Sequence, residues 1–296
     1  MPQPAQVLVT LLAVLMVGCG EKATSTPTPT DAAARGERAF FETLSGAADR
    51  NVEAVGLLEA AVAQNERDGR SQFLLGMVHL LRFYRGVSDP YSASDVLKQE
   101  IAKAQDALDT AVPLLPKDRR VPGFRGAATY LHGVVTHDDL RVAQGLTQMR
   151  EAIEQYSVFN TFAFIGAVAP VVDANDPLYR EVMQYVGTPV TSGCNPFTMP
   201  EICGNAGKAP HNIEGSLLFF GDLFAKAGDE RQARSYYRLA QSSPPTSGGT
   251  WPFAALAAQR LEGTAQRVAL YQDDNPANDP KIVGYGRDAC AICHYK

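Results

Sequence analysis

From Ala32 onward the apolar residues of this chain recur at steps of three and four, and the strict alternation of a half-buried strand is missing almost everywhere. Phe40, Phe41 and Leu44 share one helical face, Val55, Leu57, Leu58 and Ala61 a second, and Phe73, Leu74, Met77, Val78 and Leu81 a third after the break at Gly69. Asp89-Pro90 marks a turn. Val96 to Leu115 reads as a long amphipathic helix stopped by Pro116, and Pro122-Gly123 opens the next. Helical stretches follow over Gly126–Val135, Leu140–Tyr156 and Phe159–Val172, and a last one over Phe253–Ala265. The pattern predicts an all-α fold. With 296 residues, 45% of them hydrophobic and 20% charged, the chain can bury a real core. Its net charge of -5 argues against a nucleic-acid partner or a polybasic membrane patch.

One stretch carries a repeat signature. Leu217-x-x-Phe220-Gly221-x-x-Phe224 is followed by Gly228, then by Ala233-x-x-x-Tyr237-x-x-Ala240 and Pro245. Small residues at 221 and 233 let two helices approach closely, and Phe220, Phe224 and Tyr237 are expected to fill the groove toward the next repeat. This stretch resembles the tetratricopeptide repeat. Ala104-x-x-x-Leu108-x-x-Ala111 with Pro116 matches its second half, and Gly145-x-x-x-Met149-x-x-Ala152 is a looser copy. The resemblance covers Glu214 to Thr246 closely and Val52 to Ser157 loosely. It implies a tetratricopeptide-like array of helical hairpins over residues 32–272 and, as such arrays are binding scaffolds, a protein partner on the helical body.

Three segments depart from the helical body. Val7 to Val17 is an apolar run of signal-peptide length. It ends in Leu15-Met16-Val17-Gly18-Cys19, which resembles the bacterial lipobox, with Met16 where Leu is usual and no Lys or Arg in the first six residues. The resemblance implies cleavage before Cys19 and lipid on its thiol. Residues 20–31, with two prolines and no large apolar side chain, read as a tether. No acidic retention signal stands near Gly20, so the outer membrane is favoured over the inner, in a periplasm-facing position. Residues 187–211 form an irregular loop in which Cys194 and Cys203 suit a disulfide, worth about 2–3 kcal/mol in the chain-entropy model. Residues 273–296 form a Pro- and Gly-bearing tail that is expected to cross the surface.

That tail ends in Cys290-Ala291-Ile292-Cys293-His294, the attachment pattern for c-type haem. Two thiols three residues apart lie on one side of a helical turn and can each bond a vinyl group of one porphyrin. The adjacent imidazole then meets the iron. The reading is therefore one covalent haem c on Cys290 and Cys293 with His294 as proximal ligand. The competing readings are a redox dithiol, or a zinc site joining these cysteines to Cys194 and Cys203, which leaves His294 without a role.

The tail is too short to bury a haem, so the body must supply the pocket. His211, in Ala209-Pro210-His211-Asn212, ranks first as distal ligand and Met199 second; an open iron site is the third alternative. The other role for His211 is to open a helix capped by Asn212. His79 reads as a core histidine, and His132 and His137 as surface or packing residues. No nucleophile elbow, P-loop or H-E-x-x-H motif occurs, so catalysis is expected only through the haem. The expected function is electron transfer by a lipid-anchored mono-haem protein to a protein redox partner. The alternatives are a non-redox scaffold with structural or zinc-binding cysteines, and a haem-based sensor or enzyme.

Overall fold

The computed structural model describes residues 31–46, 49–87, 89–187, 209, 211–242, 250–273, 275–283 and 294. Among them the chain is all-helical, with no strand. The helices are α1 (Asp31–Leu44), α2 (Asn51–Gln64), α3 (Gly69–Gly86), α4 (Asp95–Leu114), α5 (Val121–Thr136), α6 (Asp139–Gln155), α7 (Ser157–Val168), α8 (Pro177–Gly187), α9 (Asn212–Lys226), α10 (Glu230–Ser242), α11 (Ala254–Glu262) and α12 (Thr264–Tyr271). Consecutive helices pack as hairpins, and successive hairpins pack on one another.

Local chemistry starts and stops these helices. Asp68 accepts from the N–H groups of Arg70 and Ser71 ahead of α3, Ser94 from Leu97 ahead of α4, and Asp138 from Arg141 ahead of α6. His137 adopts a left-handed conformation (φ 55°) that closes α5 and turns the chain into α6. Gly228 does the same between α9 and α10 (φ 82°).

Four hairpins share one packing device. A large side chain on the second helix fills the space over a glycine on the first. A Cβ on Gly36 would lie 2.9 Å from Leu58, on Gly76 2.6 Å from Leu108, on Gly126 2.7 Å from Met149, and on Gly221 2.4 Å from the Tyr237 ring. Each large residue is fully buried and is flanked by a small residue four positions before it and an alanine three after. These flanks are Ala54 and Ala61, Ala104 and Ala111, Gly145 and Ala152, and Ala233 and Ala240. Small residues at those positions let the helix axes close up, and dispersion contacts replace the missing side-chain volume.

The structure corrects two expectations. Tyr237 does not fill the groove toward the next repeat: its ring lies over Gly221 inside its own hairpin, and Phe220 and Phe224 stack instead on Phe162 and Tyr236. The helix expected over Phe253–Ala265 is two, because the chain breaks at Gly263 and restarts as α12. Pairing Phe220 with Phe162, rings 5.9 Å apart, joins α9 to the preceding hairpin. Beside it, Lys226 Nζ donates to the carbonyls of Ala169 (3.0 Å) and Val172 (2.6 Å), which follow α7 and lack intrahelical partners.

His79, on α3, is a core histidine, as expected. Its Nδ1 lies 2.7 Å from Glu100 of α4, whose other oxygen meets Arg82 at 3.0 Å. Burial is the main cause that lowers the His79 pKa below 6.5, and the Glu100 hydrogen bond offsets it only in part. The folded ring thus holds its proton less firmly than the unfolded one. Stability is full above the ordinary histidine range and falls as pH drops through it, because the unfolded chain gains a proton the folded chain does not. Urea midpoints at pH 7.5 and 5.5 should differ in that sense, and His79→Gln should flatten the dependence. One such group contributes at most about 1.4 kcal/mol per pH unit. His132, lowered by burial and then by Arg141, adds a slope of the same sign that survives in the variant.

Candidate functional site

The strongest buried polar constellation lies on α9, where the tail reaches the body. Asp222 is fully buried, and its carboxylate accepts from the Tyr237 hydroxyl at 2.7 Å and from the backbone N–H of Val283, also at 2.7 Å. Arg267 of α12 approaches it at 3.2 Å, and Arg260 of α11 makes a close ion pair. Burial and the neighbouring Arg267 charge push the Arg260 guanidinium down to about 9, and Tyr271 acts in the opposite direction. Arg267 also donates to the Lys281 carbonyl at 2.6 Å, and the buried Tyr271 hydroxyl to the carbonyl of Pro280. Ile282 and Val283 are buried against the core. Residues 279–283 are therefore docked by backbone hydrogen bonds and apolar burial, where the sequence suggested only a surface crossing.

The docking has a direction. Asp279 and Lys226 interact electrostatically, each moderating the shift that burial gives the other. Val283 is bonded four residues nearer the start of α9, at Asp222. The tail therefore runs antiparallel to α9, toward its N-terminal end. Leu218, Asp222 and Lys226 recur at steps of four, which places them on one face of that helix, and His211 immediately precedes its first turn.

His211 stands at the start of α9. It occupies the N-cap position itself, with Asn212 as the first helical residue, so the cap expected at Asn212 is displaced by one. Only 2% of its surface is exposed, and its Nδ1 lies 3.4 Å from Oε1 of the equally buried Glu214. The second Glu214 oxygen, Oε2, is buried without a hydrogen-bond partner. His294 is half-buried and engaged by a neighbouring group. Cys19, Cys194, Met199, Cys203, Cys290 and Cys293 lie outside the described residues. His132 meets Gln105 and Arg141 on the surface, and His137 stacks on Tyr91. No group of three or more His, Cys, Asp or Glu side chains able to hold a metal occurs among the described residues, and no helix among them is long and apolar enough to cross a membrane.

A separate groove of about 510 Å³ runs between α2, α3 and α4, lined by Val62, Glu66, Arg67, Gln72, Thr110 and Leu114. No family model, curated protein or solved structure matches this chain.

The sequence reading missed Asp222, Arg260, Arg267 and Tyr271. A signal for the first was present. Leu217, Leu218, Phe219, Phe220, Leu223 and Phe224 make α9 apolar nearly all round, and an acid set among them needs a buried counter-charge.

Proposed function

We propose that the protein is an exported, lipid-anchored c-type electron carrier with a single haem held on Cys290 and Cys293 and ligated by His294. The observation that carries the reading is the docked tail, directed along α9 toward a buried histidine. Cys290 lies seven positions beyond Val283, a reach of up to about 25 Å when extended. Asp222 and His211 are eleven residues apart, about 16 Å along a helix. The attachment motif is thus within reach of His211, the second iron ligand in this reading. The donor set fits: a buried imidazole whose Nδ1 faces a carboxylate is the arrangement that leaves Nε2 to a metal. Haem would supply one-electron transfer at a single centre. The chain's own residues hold the tail in register, exclude water around His211, and offer the helical body as docking surface for a protein redox partner. Lipid on Cys19, followed by the tether 20–31, would keep the molecule at the periplasmic face of the outer membrane.

The test is intact mass and a pyridine haemochrome spectrum on protein matured in a periplasm competent for haem attachment. One haem per chain is expected, lost in the Cys290→Ala/Cys293→Ala variant. Protein matured there without haem would sink the proposal. The second reading, a scaffold that carries no electrons, rests on the groove between α2, α3 and α4, and would then be the better one.

A further inference from the structure

We infer that Glu214 is a positioning residue for His211, and that the pair forms the second axial site of the haem iron. The inference rests on the haem reading above and deepens it. Glu214 is 1% exposed, and His211 is the ion-pair partner the structure gives it. A neutral imidazole offers one N–H to that carboxylate, and the remaining oxygen, Oε2, stays buried without a donor. A buried carboxylate so weakly compensated is costly. A metal centre bound through the far side of the same ring would supply the positive charge that a neutral imidazole lacks. Metal ligation withdraws electron density from the imidazole, so its Nδ1–H becomes a stronger donor to Oε1. The carboxylate in turn favours the tautomer with its proton on Nδ1, which puts the lone pair on Nε2.

The position of the pair points the same way. His211 stands at the N-terminal end of α9, the end toward which residues 279–283 run as they pass Asp222.

The sign of the effect follows from charge. A carboxylate beside an iron ligand stabilises the ferric form, so the reduction potential of the holoprotein should rise when that charge is removed. Glu214→Gln keeps the shape and hydrogen-bonding capacity of the side chain, and is expected to move the potential to more positive values with the low-spin spectrum retained. Glu214→Asp, which restores the charge, should recover part of the shift. His211→Met keeps bulk and a donor atom while replacing the imidazole, and should change the axial-ligand signature in the near-infrared spectrum. These measurements are made on haem-loaded full-length protein with urea midpoints alongside, because a purely structural role for Glu214 would lower the midpoint without moving the potential. An unchanged potential in Glu214→Gln, or an unchanged ligand signature in His211→Met, overturns this assignment and leaves the haem reading standing. Absence of haem from the wild-type chain overturns both.

Discussion

Gly145→Ala should be the most damaging single-methyl change in the molecule, lowering the unfolding free energy by about 3 kcal/mol, at the upper end of the usual cost of overpacking. A Cβ at this position would lie 2.3 Å from the backbone nitrogen of Tyr130 and 2.6 Å from its Cα. At Gly36 the obstructing atoms belong to Leu side chains that have rotamers to give; at Gly76 and Gly126 the nearest is a side-chain atom of Leu108 or Met149, with the Ala104 carbonyl oxygen at 3.2 Å and the Met149 nitrogen at 2.8 Å behind it. At Gly145 the obstruction is the main chain of α5, and Tyr130 is itself 2% exposed. Relief requires the axes of α5 and α6 to separate, which opens gaps along the whole hairpin. The gain in helix propensity from Gly to Ala, about 1 kcal/mol, opposes this and does not cancel it. Gly56→Ala and Gly166→Ala are the controls, because a Cβ at either position meets nothing within 4 Å. Both should raise stability by up to about 1 kcal/mol. Urea midpoints of the three variants check the argument, and a Gly145→Ala protein as stable as the controls would refute close hairpin packing as the basis of the fold.

The same geometry explains how far the fold was legible. The hairpin of Gly221 and Tyr237 could be read because its small residues and the turn between them keep the spacing of a regular repeat, although that spacing did not show that the Tyr237 ring lies over Gly221. The pairs Gly76–Leu108 and Gly126–Met149 showed only their second halves. Ala54-x-x-x-Leu58-x-x-Ala61 has the same second half, yet its partner Gly36 stands 22 residues before Leu58, where Gly221 stands 16 before Tyr237. Helix–helix contact fixes which residues face one another, not the length of chain between them. A turn or two added to a helix, or the Pro90–Ser92 insert between α3 and α4, displaces the sequence spacing and leaves the contact intact.

At the site the limit was different. His211 stood out because a histidine beside a proline, at the head of an apolar helix, is conspicuous. Glu214 did not, because an acid in the first turn of a helix is ordinarily a solvent-facing complement to the helix dipole; here it is buried. Asp222 was missed for a related reason, since its partners come from the far end of the chain, Val283 being 61 residues away. Which distant cation or amide answers a buried acid is decided by tertiary packing.

Asp222→Asn should unfasten the tail and cost about 3–5 kcal/mol, the usual penalty for removing one partner from a buried ionic network. The carboxylate has no exposure to water, and it is what stands between two guanidinium groups that are themselves 11% and 14% exposed. A neutral amide leaves both cations inside without a counter-charge, and its NH2 group adds a donor where Tyr237 and Val283 already donate and two guanidinium groups stand close. Apolar replacement of all three members, Asp222→Leu with Arg260→Met and Arg267→Met, should recover much of the loss, because the penalty comes from unpaired charge more than from lost attraction. It should not restore the tail, because Val283 N–H then lacks its acceptor and the Lys281 carbonyl its Arg267 donor. The two effects can therefore be separated. Urea midpoints report the ionic network, and the rate of tryptic cleavage after the exposed Lys281 reports the tail. Single and triple variants should both be cut faster than wild type, while only the single one is strongly destabilised. Equal cleavage rates in all three proteins would mean that Asp222 serves the core alone and that other contacts hold residues 279–283. The track leading the attachment motif toward His211 would then have lost its fastening point.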